Sequence, residues 1–139
     1  MTFEETIREL SFYKKGELIP NPDGILSMEN LPEKLGKFLG LVSLQLIITR
    51  RSLAHIVQKG EIGILLAKNI EKCIQNHSST LESDHKPDSS YKRYILFHKN
   101  SIDAKDMAVV IEVRENSSAI ITAMVADEKY IFKKYKKLR

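Results

Sequence analysis

Apolar positions change their spacing along this chain in an orderly way, and that change outlines its elements. Residues Glu4 to Lys14 carry Ile7 and Leu10 on one side, which predicts a short opening helix; Asn21-Pro22-Asp23-Gly24 then reads as a turn. Residues 1–30 are only weakly specified as a whole, an N-terminal extension to the rest. Pro32 opens a second short helix through Leu35, Phe38 and Leu39, and Gly40 ends it. Leu44 to Ile48 is β-branched and apolar enough for a first strand. Thr49 can cap a helix from Arg50 to about Gln58, stopped by Gly60, because its hydroxyl can accept from a free amide in the first turn.

Further along, Leu65, Leu66, Ile70, Cys73 and Ile74 recur at helical spacing, predicting one helix over Ile64 to Asn76. His77 to Ser90 is polar, contains Pro87 and reads as an exposed loop. Three strand-like runs follow, at Lys92 to Lys99, Met107 to Arg114 and Ala119 to Val125. Their links, Asn100 to Asp106 and Glu115 to Ser118, are short and polar, which favours hairpins and an antiparallel meander. The expected fold class is therefore α+β. N-terminal helices would pack on a four-stranded antiparallel sheet, in which the Leu44–Ile48 strand joins the meander.

Composition narrows the class without choosing a function. At 139 residues the chain suits a single domain, residues 1–139, with an ordinary core. No apolar run approaches the roughly 20 residues that span a bilayer, and Met1-Thr2-Phe3-Glu4-Glu5 lacks the features of a secretory signal. A cytoplasmic protein with no membrane partner is expected. Cys73 is the single cysteine, so no internal disulfide or cysteine-based zinc cluster can form, and it reads as a small core residue. His77 and His85 share the polar loop, but no ligand spacing ties them to carboxylates, so neither a metal nor another cofactor is expected.

Charge is distributed unevenly. From Asp127 onward six basic residues (Lys129, Lys133, Lys134, Lys136, Lys137 and Arg139) face two acidic ones, and the remainder is balanced, so the whole net charge of +4 lies in the tail. That suits a polyanion such as RNA, although a solvated helix face with cations at its C-terminal end has the same composition. Tyr130, Phe132 and Tyr135 are interleaved with these lysines and could stack on bases as well as pack. Lys133, Lys134, Tyr135 and Lys137, with Lys99, form the candidate RNA-binding set.

The candidate chemistry centres on the capped helix. Arg51 and His55 are four apart and share a face, placing a phosphate-binding guanidinium beside a proton-transferring imidazole. In the strand from Lys92, odd positions group Arg93, Ile95, Phe97 and Lys99, and even positions group Lys92, Tyr94, Leu96 and His98. Either face has a basic group at each end of an apolar centre. Thr122 is a hydroxyl inside an apolar strand, ordinarily just a good β-former.

Taken in order, Leu39-Gly40-Leu41, the Thr49 helix with His55, and the strands Arg93-Tyr94-Ile95-Leu96, Val109-Val110-Ile111-Glu112-Val113 and Ile120-Ile121-Thr122-Ala123 resemble the phage-type branch of the barnase–EndoU–colicin–RelE nucleases. The resemblance spans roughly residues 31–139 and rests on patterns. It implies a compact RNase- or toxin-like α+β domain, metal-independent RNA cleavage, and an immunity or antitoxin protein as partner. His55 matches the family's helix histidine and Thr122 its last-strand hydroxyl. Arg51, Arg93 and Lys99 match a looser expectation of nearby basic residues, and no second acid or base is fixed. Catalytic candidates are thus His55, Thr122, Arg51 and Arg93. Two other readings remain open: a catalytically inactive module binding nucleic acid or protein, and a phage or mobile-element accessory domain from a larger chain.

Overall fold

The computed structural model describes residues 2–83, 91–102 and 105–139. Helix α1 (Phe3–Leu10) opens on a reciprocal cap: the Glu5 amide donates to the Thr2 hydroxyl at 3.1 Å, and the Thr2 amide donates to the Glu5 carboxylate. Two orphan amides are thereby satisfied. It buries Thr6, Ile7 and Leu10, then stops earlier than Lys14, because the next apolar residue, Phe12, is 78% exposed and offers no packing to extend the face. Helix α2 (Glu33–Leu39) begins after Pro32 and ends at Gly40, whose φ of 70° is the left-handed value glycine adopts without strain.

Strand β1 (Ile25–Met28) pairs antiparallel with β2 (Leu46–Thr49), and helix α3 (Arg50–Val57) follows directly. Thr49 is its cap, as the sequence predicts: the Ser52 amide donates to the Thr49 hydroxyl at 3.1 Å. The single helix expected over Ile64–Asn76 is instead two, α4 (Glu61–Lys68) and α5 (Ile70–Asn76). The chain departs from helical geometry at Asn69, whose side-chain amide donates to the Leu65 carbonyl at 2.8 Å. Asparagine competes in this way with the helix's own backbone bonds.

Part of the expected loop is also regular. Strand β3 (Ser79–Glu82) pairs antiparallel with β4 (Arg93–Ile102), whereas residues 84–90, including His85, lie outside the described residues. The meander β4, β5 (Lys105–Val113) and β6 (Ser118–Val125) is antiparallel throughout, as expected. Helix α6 (Glu128–Lys134) and the two-residue strand β7 (Lys136–Lys137) complete the chain.

The expected sheet is wrong in size and in one pairing. Among the described residues it has seven strands in the order β1-β2-β6-β5-β4-β3-β7, and β2 runs parallel to β6 through Leu46 opposite Ser118 and Ile47 opposite Ala119. Long crossovers permit parallel neighbours, and between β2 and β6 the chain passes through three helices and three strands. Short links constrain only consecutive strands, so they could not reveal this one.

Helices also cover both faces of the sheet. On one side Leu53, Ile56, Leu66, Ile70 and Ile74 pack with Leu96, Val109, Ile111 and Ile120; on the other Ile131, Phe132 and Tyr135 pack with Leu81, Ile95, Phe97 and Val110. The alternation along β4 thus divides between two apolar layers, with Tyr94 and Leu96 facing α3–α5 and Ile95 and Phe97 facing α6. Each fully buried Leu, Ile or Phe contributes roughly 1.5–3 kcal/mol.

Candidate functional site

Helix α3 presents two kinds of surface. Leu53, Ala54, Ile56 and Val57 are buried against the sheet, while Arg51 and His55 are exposed. Neighbouring Arg50 serves the fold. Its guanidinium pairs with both Glu9 carboxylate oxygens, at 2.5 Å to Oε2, and donates to the Pro20 carbonyl at 3.1 Å, fastening α1 and the 11–24 segment to α3. That segment closes over the outer face of α3 and leaves a cavity of about 480 Å³.

Arg51 and His55 line this cavity from the helix, and Gln58 and Lys59 from the turn that follows it, facing Lys15, Glu17 and Leu18 of the covering segment. Arg51 pairs with Asp23 at 3.3 Å, but both side chains are largely exposed, so water and salt weaken the attraction and an anion can compete. His55 makes no hydrogen bond to any described residue, leaving both ring nitrogens available. Lys59 is partly buried, has no carboxylate partner among the described residues, and donates to the Thr122 hydroxyl at 2.9 Å and the Ala123 carbonyl at 2.7 Å. Burial lowers the pKa of its ammonium below the ordinary lysine value. Thr122 stands at an irregularity where Val110 opposes Thr122 but Ile111 opposes Ile120, so Ile121 is an extra residue in β6.

Three of the four catalytic candidates are thus connected. Arg51 and His55 line one cavity, and Lys59, in the turn just beyond the end of α3, ties it to Thr122. Lys59 is the member that sequence reasoning missed. Lys59 lies beyond the last helical residue, so its place beside His55 depends on how the chain turns before Gly60 and not on helical spacing. Gln58 was missed as well; its side-chain nitrogen is buried without a hydrogen-bond partner.

Arg93 lies elsewhere. It alternates with Ile95 and Phe97 and therefore points to the α6 side of the sheet, where its Nε donates to Glu112 at 2.8 Å; Arg114 holds the other oxygen at 2.9 Å. Burial raises the Glu112 pKa, but the two guanidiniums outweigh it and hold the carboxyl below its usual value. The charges of Arg93 and Arg114 are thus shared by one buried carboxylate, an arrangement suited to fixing the end of the meander. Lys99 is paired with Glu128 at 3.3 Å.

The basic tail is folded, and its aromatics are largely committed. Phe132 packs against Phe97 with ring centroids 5.2 Å apart, and Lys137 sits 5.4 Å above the Phe132 ring. Tyr135 is half-buried. Lys134 donates to the Tyr130 hydroxyl at 3.1 Å and lies over both the Tyr130 and Tyr135 rings. Lys133 is exposed on α6, and Tyr130 is the tail aromatic most open to solvent, at 57%. Because α6 packs on the side of the sheet opposite α3, the α6 lysines and the His55 cavity are on different faces.

Cys73 is buried, and loss of solvent pushes its thiol up to about 12, so it is no nucleophile. His77 donates from Nδ1 to the Ile74 carbonyl, 2.6 Å away. Among the described residues no three His, Cys, Asp or Glu side chains converge on a point where a metal could sit, and no helix is long and apolar enough to cross a membrane. The chain matches no known protein family, no curated protein and no solved structure.

Proposed function

We propose that the chain is a metal-independent endoribonuclease acting in a cytoplasm, with His55 as its proton-transfer group. The observation that carries this reading is the row Arg51, His55 and Lys59 lining one cavity, with Lys59 anchored on Thr122. RNA supplies its own nucleophile. The 2′-hydroxyl attacks the adjacent phosphorus and the bond to the 5′-oxygen breaks, yielding a 2′,3′-cyclic phosphate and a 5′-hydroxyl. His55 transfers a proton in this step, and the Lys59 and Arg51 cations offset the charge that grows on the phosphorane. Thr122 acts chiefly by holding the ammonium in place. Arg93, committed to Glu112 on the far side of the sheet, has no part in the reaction.

The resemblance to phage-type barnase–EndoU–colicin–RelE nucleases supports the same chemistry, and with it a toxin-like role opposed by an immunity or antitoxin protein. It lends nothing through the sheet, whose strand number and parallel pair differ from the implied fold. The test is incubation of purified protein with single-stranded RNA and with DNA of the same sequence in EDTA. RNA alone should be cut, leaving cyclic phosphate ends; activity abolished by chelation and restored by magnesium would overturn the reading.

A second reading, a binding module without catalysis, is favoured by one observation. The α6 lysines and the cavity lie on opposite faces, so a strand held by those lysines is not thereby delivered to His55. RNA binding with no cleavage under any of these conditions would establish it.

A further inference from the structure

A second cavity, of about 230 Å³, lies between α2, the end of α5 and the start of β3. Lys34, His77, Ser79, Thr80 and Arg139 line it, and no acidic side chain does. Neither cation has a carboxylate partner among the described residues. The Arg139 guanidinium instead stacks 5.3 Å from the centre of the Phe38 ring, which belongs to the same helix face as Lys34, four residues earlier. Two cationic side chains are therefore gathered at one cavity that no acidic side chain lines.

The facing wall contains an unmet hydrogen-bonding demand. Thr80 is 1% exposed, and its hydroxyl is buried with no partner. Its main chain is fully used, donating to the Arg139 carbonyl at 3.2 Å and accepting from the Leu138 and Arg139 amides, so the hydroxyl is the group left over. Buried hydroxyls are nearly always bonded, because leaving one dry forfeits its hydration. His77 adds an imidazole whose Nδ1 is fixed at the Ile74 carbonyl, leaving Nε2 for a ligand. Its pKa is lowered by burial, with repulsion from Arg139 adding to that and the Ile74 bond opposing it. Lys34 lines the same cavity from α2 and His98 neighbours His77 from β4, and neither supplies a counter-charge.

We propose that this cavity binds a phosphate dianion, free or as the terminal group of a phosphomonoester. Such a ligand offers acceptors to the lysine, the guanidinium and the Thr80 hydroxyl together, and its charge favours protonated His77. Its smaller volume and a lining without acidic side chains separate it from the cavity beside His55, which Glu17 also lines. The site does not depend on RNA cleavage.

The experiment is a nuclear magnetic resonance titration of the whole chain with inorganic phosphate, glycerol phosphate and, as a monoanionic diester, dimethyl phosphate. Millimolar inorganic phosphate should move the Ser79, Thr80 and Arg139 amides and shift the His77 titration upward, because proton and anion binding are reciprocally coupled. A site for the free anion prefers inorganic phosphate, and one for an esterified phosphate prefers glycerol phosphate; either supports the assignment. Joint replacement Lys34→Ala and Arg139→Ala should weaken binding about tenfold or more. Thr80→Val should raise the thermal midpoint without phosphate and lower affinity for it, a pair of effects that general damage to the fold cannot produce. Unmoved resonances, a response that survives the double replacement, equal affinity for dimethyl phosphate, or a Thr80→Val variant unchanged in both properties would each overturn the proposal.

Discussion

Lys59 and Thr122, 63 positions apart in the chain, meet through a 2.9 Å hydrogen bond from ammonium to hydroxyl. The bond joins the turn after α3 to the irregular part of β6 and gives the His55 cavity a fixed positive charge. Since burial lowers the Lys59 pKa, that charge is lost as pH rises through the lowered value, below the ordinary lysine pKa of about 10.4. Lys59→Ala should reduce single-turnover cleavage by about a hundred- to a thousand-fold. Lys59→Arg, which stays charged, should retain part of the activity and move the alkaline limb upward. Rates measured from neutral to alkaline pH for wild type and both variants check the assignment.

His55→Ala should lower cleavage by at least about a hundred-fold and leave RNA affinity nearly unchanged, because it removes a proton-transfer group and not a phosphate anchor. A variant that cleaves at the wild-type rate removes His55 from the mechanism.

Replacing Lys133, Lys134, Lys136 and Lys137 together tests the tail. If it tracks a single strand, every phosphate that goes unpaired should subtract roughly 0.7 from the slope of log affinity against log salt, with little change in the single-turnover rate at saturating RNA. An unchanged slope would show that these lysines serve only α6 and its aromatic neighbours.

Glu112→Gln should cost about 3 kcal/mol, since it leaves Arg93 and Arg114 without the buried charge they share. The wild-type contribution has a defined pH window. The folded carboxyl titrates below the unfolded value of about 4.3, so the stabilisation is complete above that pH and disappears as pH falls through the folded value. Urea midpoints across acid pH should fall steeply for wild type and less steeply for the variant.

Gly63→Ala probes the joint between α3 and α4. A Cβ there would meet the Val57 and Ile56 carbonyl oxygens, the latter at 2.5 Å, and because these are backbone atoms they cannot swing aside as a side chain would. A loss of about 2 kcal/mol or more in urea unfolding is expected.

Local signals determined a good part of this protein. The Thr49 cap, the Pro32 start and Gly40 stop of α2, the meander β4–β6 and the shared face of Arg51 and His55 all depend on interactions within a few residues or across short links, where spacing and hydrogen-bonding chemistry are sufficient. Strands β1 and β3 escaped because each is four residues long and gains its regularity from a neighbour, with Ile25 exposed and Ser79 and Thr80 as polar as any loop. Tertiary structure alone decided that β2 lies parallel to β6, that Arg93 faces α6 and not His55, that α6 folds onto the far side of the sheet, and that Lys59 reaches Thr122. Those outcomes depend on which distant surfaces bury one another, and the periodicity of a segment specifies that it has an apolar face without specifying what will cover it.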